Sequence, residues 1–426
     1  MKLYRTLSLL AGPFITAYLH KRKAAGKEDP QRMPERLGHA GFPRPEGTLV
    51  WVHAASVGES ISILPLINRI SERFDNIKVL LTTGTTTSAK MMETRLPANA
   101  FHQFVPVDSL GAVKRFLAHW KPDIALWVES EFWPNLLMET SKVAPIILMN
   151  ARVSNTSFSK WQRYKAFIRQ ILSSFTLCLP QSPEDARRLQ VLGAEHVKFI
   201  GNLKYDAPAL PSDSKKMSQL LGMIEDRHIW VAASTHSGEE EILAGAHQIL
   251  HETYSDLLTI IIPRHANRGA EIAVMLREKG LKVALRSKEE AIQPETDIYV
   301  ADTMGELGIF YRLTPIVFIG GSLVPHGGQN PLEAARLECA IIAGNHMDNF
   351  LDICRELEDN NAILRVNSKE TLAEAVHSMI YDGDKREKLK ANATQVAAAK
   401  GEILNAYVEE ICPYIEKSVV MHKNVA

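Results

Sequence analysis

The sequence predicts an α/β protein of two doubly wound parallel-sheet halves, one after the other, facing a cleft and preceded by an apolar N-terminal helix. Three observations predict this. Short runs of consecutive Val, Ile and Leu recur where alternating sheets would show apolar/polar pairs, which marks strands buried on both faces. Longer amphipathic stretches separate those runs. The whole rhythm then restarts after a segment rich in Pro, Asp and Ser. In the first half the runs are Thr48–His53, Ile77–Thr82, His102–Pro106, Asp123–Val128, Pro145–Asn150, Thr176–Pro180 and Val197–Ile200. Helix-like segments such as Ser60–Arg73 and Gly111–His119 lie between them. Tyr205–Lys216 (YDAPALPSDSKK) is the linker. The second set is His228–Ala233, Leu257–Pro263, Leu281–Leu285, Asp297–Ala301, Pro315–Gly320, Ala340–Ala343 and Ala362–Val366. The last helix-like stretch, Ile403–Ser418, is open to either half. The domain plan is therefore a helix over 1–23, a first domain over 24–204, a linker over 205–216 and a second domain over 217–402. It closes with a C-terminal helix over 403–426 placed back on the first domain.

Composition agrees with that class. The 426 residues are 46% hydrophobic and 23% charged, which excludes disordered, collagen-like and disulfide-scaffold proteins. With 49 Lys+Arg against 49 Asp+Glu there is no bulk electrostatic grip on nucleic acid, and none is expected as a partner. Cys178, Cys339, Cys354 and Cys412 are scattered without a CxxC pair, as in a reducing compartment, and read as small buried hydrophobes.

The N-terminus departs from the average. Thr6 to Leu19 carries no charge and holds Leu7, Leu9, Leu10, Phe14, Ile15, Tyr18 and Leu19. Fourteen helical residues reach only ~21 Å, short of the ~30 Å hydrocarbon core, and Pro13 is expected to kink the helix. A marginal span, with Arg5 and His20 reaching to headgroups, competes with a helix lying in the interface. A buried helix of the folded domain is the bland alternative. Lys21, Arg22, Lys23 and Lys27 follow, which the positive-inside rule puts on the cytoplasmic side, and a basic cluster in place of a small-residue cleavage site argues against a signal peptide. Membrane contact is the expectation.

Ligands of doubly wound sheets bind beyond the carboxyl ends of the strands, so the strand-end loops carry the chemistry. In the second half, Ile319–Ser322 leads through Leu323-Val324-Pro325-His326-Gly327-Gly328-Gln329-Asn330 into a helix opening at Pro331-Leu332-Glu333. Its glycines admit a ligand close to the backbone, and exposed amides at the helix start suit an anion. Equally, Asn330 and Glu333 form an Asn-x-x-Glu capping box. Ala232–Glu239 offers a second set of amides and hydroxyls, Pro263-Arg264-His265 two potential cations, and Asp302–Leu307 a further polar loop. Together they read as a nucleotide-binding domain. The absence of GxGxxG and GxxxxGK[ST] argues against a dehydrogenase or an ATPase.

In the first half, Trp51–Ser60 is a strand, a small-residue loop and a helix start. Glu59 is the candidate base, although Ser56-x-x-Glu59 is also a capping-box pattern. The helix dipole is expected to favour its ionised form, leaving a competent but weak base. Thr82–Ser88 is rich in hydroxyls suited to a sugar or phosphate, or to ordinary turn and N-cap chemistry. Glu129-Ser130-Glu131 sets two carboxylates beside an aromatic, a glycosidase-like pair that the nucleotide-like second half makes less economical. The one DxD triplet, Asp382-Gly383-Asp384, follows a helix-like stretch and reads as a solvated turn. His53, His236, His265 and His326 lack metal-ligand spacing, so no metal is expected.

HAASVGES (53–60), ESEFWPNL (129–136), GNLKYD (201–206), ASTHSGEEE (233–241), PRH (263–265) and GGSLVPHGGQNPLEAA (320–335) together resemble, in matching order over nearly the whole chain, the 3-deoxy-D-manno-octulosonic acid (Kdo) transferases of lipopolysaccharide synthesis. The resemblance implies a GT-B architecture of two Rossmann-like domains, the first binding acceptor and the second donor. It implies an inverting glycosyl transfer of Kdo from CMP-Kdo to a lipid A precursor (lipid IVA) at the cytoplasmic face of a bacterial inner membrane. No cofactor is implied; loss of turnover on chelation, restored by metal, is the outcome that counts against this. Carried onto this chain, Glu59 is the general base. Ser234, Thr235, Arg264, Gly305, Glu306, Asn330, Glu333 and Lys204 surround the donor, with Glu333 at ribose hydroxyls and Lys204 and Arg264 offsetting phosphate or carboxylate. Ser56, Gly58, Thr83, Thr85, Glu129 and Glu131 are candidates for acceptor or sugar contacts, and His326 is given no required role. The rival readings are a UDP-sugar lipid glycosyltransferase, a UDP-sugar 2-epimerase of the same architecture and a non-catalytic sugar-nucleotide binder.

Overall fold

A computed structural model describes residues 4–6, 8, 11–206, 209–224 and 226–423. Two compact units emerge, one of residues 1–207 with 401–426 and one of residues 208–400. The described residues of the first hold a six-stranded parallel sheet and those of the second a seven-stranded parallel sheet.

The first sheet comprises β1 (Thr48–His53), β2 (Ile77–Thr83), β3 (Ala100–Phe104), β4 (Ile124–Val128), β5 (Ile146–Ala151) and β6 (Leu177–Pro180), in the order β3-β2-β1-β4-β5-β6. Every residue of β1 is buried, as a strand covered on both faces requires. One face packs Ile63, Leu66, Ile67 and Ile70 of helix Val57–Arg73 together with Tyr407, Ile411 and Ile415 of helix Ile403–Lys423. The other face packs Trp51, Trp127, Phe116 and Trp120. β1 pairs with β2 on one side and β4 on the other, so the strand order reverses there and leaves a crevice at the carboxyl ends of β1 and β4.

The second sheet comprises β7 (Ile229–Thr235), β8 (Leu258–Pro263), β9 (Val283–Leu285), β10 (Ile298–Val300), β11 (Ile316–Ile319), β12 (Ala340–Ala343) and β13 (Ile363–Arg365), in the order β13-β12-β11-β7-β8-β10-β9. Its reversal lies between β7 and β11. The corresponding crevice is bordered by the loops after those two strands.

Several local expectations change. Val197–Ile200 is not a strand; Val197 makes an isolated bridge to Cys178. The run expected over 102–106 is shifted to Ala100–Phe104. Within the expected linker a helix already opens at Ser214. Pro13 stands in the first turn of helix Gly12–Ala24, where its missing N–H has no partner to lose. Arg5 does not reach outward; its guanidinium pairs with Glu139 at 2.5 Å, while the Tyr4 hydroxyl donates to Asp108 at 2.7 Å. Leu7, Leu9 and Leu10 lie outside the described residues. No helix among the described residues is long and apolar enough to cross a membrane. Asp382 caps helix Gly383–Ala399 by accepting from the Lys385 N–H. The four cysteines are buried and unpaired with one another.

Candidate functional site

At the β1/β4 crevice, helix Val57–Arg73 begins with Ser56 in extended conformation, its Oγ accepting from the Glu59 N–H at 3.3 Å. The Ser56 hydroxyl in turn donates to Glu59 Oε1 at 2.8 Å, and the Ala55 N–H donates to Oε2 at 2.8 Å. The cap and the candidate base are therefore one object, because the contacts that close the helix also aim the carboxylate. Glu59 is only 8% exposed. Burial raises its pKa, and the charges of Glu129 and Glu131 add to the rise against the Ser56 and Ala55 hydrogen bonds. Burial thus opposes the pull of the helix start towards the ionised form, and the direction of the shift is towards a more basic carboxylate.

Glu129 follows β4 with a left-handed φ of 59°, its N–H donating to Met149 O at 2.9 Å. Its carboxylate pairs with the Lys204 ammonium at 2.5 Å. Lys204, expected beside the donor, thus belongs to the first unit and is engaged by a residue of the acceptor set. The Trp127 indole donates to the Glu131 carbonyl at 2.6 Å, and burial, followed by Glu129, raises the Glu131 carboxyl. Thr83 is corrected: it is fully buried with its hydroxyl 2.9 Å from His102 Nε2, so it presents nothing to a sugar. Thr85 instead caps the next helix through the Ser88 N–H at 3.1 Å and lines a chamber. Gly58 has open space where a side chain would stand.

That chamber, about 730 Å³, was not foreseen from sequence. Ala11 with Ile15, Tyr18 and Leu19 of the helix Gly12–Ala24 that it precedes form one wall, and Ala55, Thr85, Glu131 and Trp133 bring it beside Glu59. Arg22 and Arg36 border it around the shared carboxylate of Glu28, at 2.6 and 3.5 Å. His53 also lines it; burial lowers its pKa to about 3, so the ring is neutral, with Nδ1 3.0 Å from Thr82 Oγ1.

At the β7/β11 crevice, the glycine loop is organised by a residue that sequence reading passed over. The buried Glu239 carboxylate accepts from four backbone N–H groups: His236 at 2.9 Å, Gly321 at 2.6 Å, Ser322 at 3.0 Å and Leu323 at 2.9 Å. Acidic residues at a helix start need no special explanation, and that ordinary reading of Glu239-Glu240-Glu241 concealed the latch. Gly320 is obligatory, since a Cβ there would lie 2.5 Å from the Ser234 carbonyl oxygen. Ser234 itself has φ 60°, an irregularity in β7 just before the strand ends at Thr235.

His236 stacks on His326 at 3.9 Å between ring centroids, with His265 edge-on at 6.1 Å. Arg264 is exposed at the end of β8, its N–H donating to Thr235 O at 3.0 Å. Burial, then the neighbouring His326, His265 and Arg264, lowers the His236 pKa. Imidazoles and a guanidinium thus gather where an anion is best received. Asn330 accepts from the Leu332 N–H at 3.1 Å, whereas burial raises the Glu333 carboxyl with Arg336 and Arg264 opposing. Gly305, with φ 82°, has open space around it.

Two donor candidates are already engaged. The buried Thr235 hydroxyl donates to Glu240 Oε1 at 3.0 Å, and Arg268 holds the same carboxylate at 2.8 Å. Glu306 accepts from Arg286 at 2.5 and 2.9 Å and from Lys216 at 2.8 Å, contacts that hold its pKa down at about 2. Neither is free to receive a ribose.

Residues 31–207 match the family model described as 3-deoxy-D-manno-octulosonic-acid transferase (kdotransferase). The chain is 37% identical over 391 residues to the probable mitochondrial 3-deoxy-D-manno-octulosonic acid transferase of Arabidopsis thaliana, covering 89% of this chain and 88% of that one. The chain belongs to the Kdo transferases. It is 33% identical to the 3-deoxy-D-manno-octulosonic acid transferase of Rickettsia bellii, over 97% of this chain and 99% of that one. Residues 277–396 match the model for glycosyl transferases group 1, and this transferase is a glycosyltransferase acting with Kdo. Its fold is shared with UDP-GlcNAc 2-epimerase from Neisseria meningitidis, at 14% identity, TM-score 0.58, and 86% and 100% coverage. At that identity the likeness shows architecture alone.

Proposed function

We propose that this transferase moves Kdo from CMP-Kdo to a lipid A precursor, lipid IVA, with Glu59 as general base and inversion at the anomeric carbon. The acceptor hydroxyl loses its proton to Glu59 as its oxygen bonds to the anomeric carbon. The bond from that carbon to the phosphate oxygen breaks, and CMP departs. The observation that carries the reading is the held Glu59 carboxylate, raised in pKa by burial beside two further carboxylates and a largely apolar chamber. A base is useful when its pKa lies nearer the working pH, and two fixed donors keep its geometry.

The second unit is the donor half in this reading. Arg264 offsets the phosphate and the sugar carboxylate, the His236, His265 and His326 rings offer hydrogen bonds to them, and Ser234, Gly305, Asn330 and Glu333 complete the rim. The single phosphate of a nucleoside monophosphate is within the capacity of amides and cations. The chamber takes the lipid part of the acceptor, with Arg22 and Arg36 close to its phosphate. Helix Gly12–Ala24 lies in the interface of the inner membrane on the cytoplasmic side. Phe14 is 78% and Tyr18 60% exposed, Lys21, Arg22 and Lys23 follow in the last turn, and about 20 Å of helix suits an interfacial anchor better than a span.

Incubation with lipid IVA and either CMP-Kdo or UDP-hexoses, followed by product masses, tests the reading. Kdo-bearing lipid from CMP-Kdo alone is expected and also counts the units added. Transfer from a UDP-hexose, or release of free sugar without a lipid product, overturns it.

A further inference from the structure

The edge of the second sheet opposite the glycine loop carries a group of side chains that the transfer does not use. His247 and His251 stand one turn apart on helix Glu239–His251, their rings nearly parallel at 22° with centroids 5.6 Å apart. Asp297 immediately precedes β10, at its amino end. One ligand-capable atom from each of the three lies within 4.8 Å of the others.

We propose that His247, His251 and Asp297 bind one divalent transition-metal ion of the zinc type, tying the last turn of the helix to the entry of β10.

The fixed member is His247. It is 1% exposed, with Nδ1 2.8 Å from the Thr259 hydroxyl. A metal-binding imidazole is commonly oriented through its other nitrogen in this way. The arrangement leaves Nε2 buried and without a hydrogen-bond partner among the described residues, 3.9 Å from Asp297 Oδ1. That separation is too long for a hydrogen bond and has room for an ion between the two atoms. An orphaned buried nitrogen facing a carboxylate calls for an explanation, and a bound cation supplies one.

The neighbouring groups fit. Asp297 Oδ2 accepts from the Lys282 N–H at 2.7 Å, which orients the carboxylate and leaves Oδ1 towards His247. Burial pulls the His247 pKa down to about 4, so the ring is neutral at pH 7, as a ligand must be. Arg227 is a cation in electrostatic reach of both His247 and Asp297 and opposes a metal ion. Its N–H groups are committed to the carbonyls of Asp256, Leu257, Gln293 and Thr296, at 2.7–3.2 Å, so it does not fill the site in place of one.

Two imidazoles and one carboxylate match zinc, cobalt or nickel; calcium and magnesium favour all-oxygen shells. Bonds of about 2.0–2.1 Å in a tetrahedron put ligand atoms roughly 3.3 Å apart, so the group closes by about 1 Å, mostly through exposed His251. Water takes the fourth position. The strand order puts this site at the amino edge, remote from the carboxyl-end loops, so it braces the donor unit and supplies no step of the transfer.

The test uses the full chain, stripped with a chelator and desalted, then titrated with Zn²⁺ by calorimetry and with Co²⁺ by visible absorption. One equivalent with micromolar or tighter affinity and the bands of four-coordinate cobalt is the expected result. His251→Gln, an exposed change that spares the fold, and Asp297→Asn each weaken binding at least tenfold. Thr259→Val, which only releases the His247 ring, weakens it roughly 10–100-fold. His326→Gln leaves the equivalent in place. Absence of binding up to roughly 1 mM metal, an equivalent indifferent to His251→Gln and Asp297→Asn, or one lost with His326→Gln, overturns the proposal.

Discussion

The two crevices follow one topological rule and opposite electrostatics. In the first unit the reversal between β1 and β4 collects Glu59, Glu129 and Glu131 beside an apolar chamber. In the second, the reversal between β7 and β11 collects Arg264 and three imidazoles around a loop held by one buried carboxylate. Position on the strand order decides where a site forms; the residues in the loops decide what it accepts. A carboxylate-rich edge is fitted to take a proton, and a cationic edge to hold an anion that leaves with its electron pair.

The sharpest way to break this contrast is at the base. Glu59→Gln is expected to lower transfer roughly 10²–10⁴-fold while CMP binding persists, checked by turnover and calorimetry on the same sample. Near-normal turnover would leave the first crevice without a base.

The second edge is broken through its latch. Glu239→Ala leaves four backbone N–H groups without their acceptor, and a loss of about 3 kcal/mol in denaturant unfolding of the second unit is expected, with CMP affinity reduced. Unchanged CMP affinity in the folded variant would separate the glycine loop from donor binding.

The chamber is sharpened by filling it. Ile15→Trp is expected to raise KM for the lipid acceptor about tenfold, leaving KM for CMP-Kdo unchanged; one methylene-sized mismatch in an apolar pocket is already worth ~1–3 kcal/mol. An equal rise in both constants would assign the helix a general structural part instead.

A structural control is the ion-pair group in the loop after β10. Glu306 is held near pKa 2 by Arg286 and Lys216, so its stabilisation is full above the unfolded carboxyl range and is lost as pH falls through about 2. Glu306→Gln is expected to cost about 1–2 kcal/mol at pH 7, discounted because Lys216 is half exposed, and the difference from wild type vanishes towards pH 2. The smallest effect concerns Glu129. If Glu59 acts deprotonated, as proposed, its raised pKa puts the expected acid limb of kcat/KM above that of an ordinary glutamate. Glu129→Gln removes a like charge and frees Lys204, so the limb moves to lower pH, by less than about one unit. A move to higher pH would show that the limb is not Glu59.

Strands were legible because burial on both faces leaves an unbroken apolar run in the chain; β1 and β12 occupy the residues expected of them. Val197–Ile200 misled because a short apolar run beside an edge strand need not extend a ladder. Glu59 was legible as a residue but ambiguous as a role, since the hydrogen bonds that cap the helix are the same ones that would aim a base. Thr83 and Thr85 look equivalent in a run of hydroxyls, yet β2 extends through Thr83 and turns it onto His102 while Thr85 starts a helix.

By itself, then, the chain determined its α/β class, its strand runs, its family motifs and the identity of the carboxylate at position 59, because all of these are written in local pattern and short spacing. Tertiary structure alone decided which candidates remain available. Glu306 is closed off by partners 20 and 90 positions away, Glu239 latches a loop more than 80 positions downstream, and His247 meets Asp297 across 50. Charge and hydrogen-bond capacity are saturated by whatever the fold brings near, and sequence distance carries no record of that.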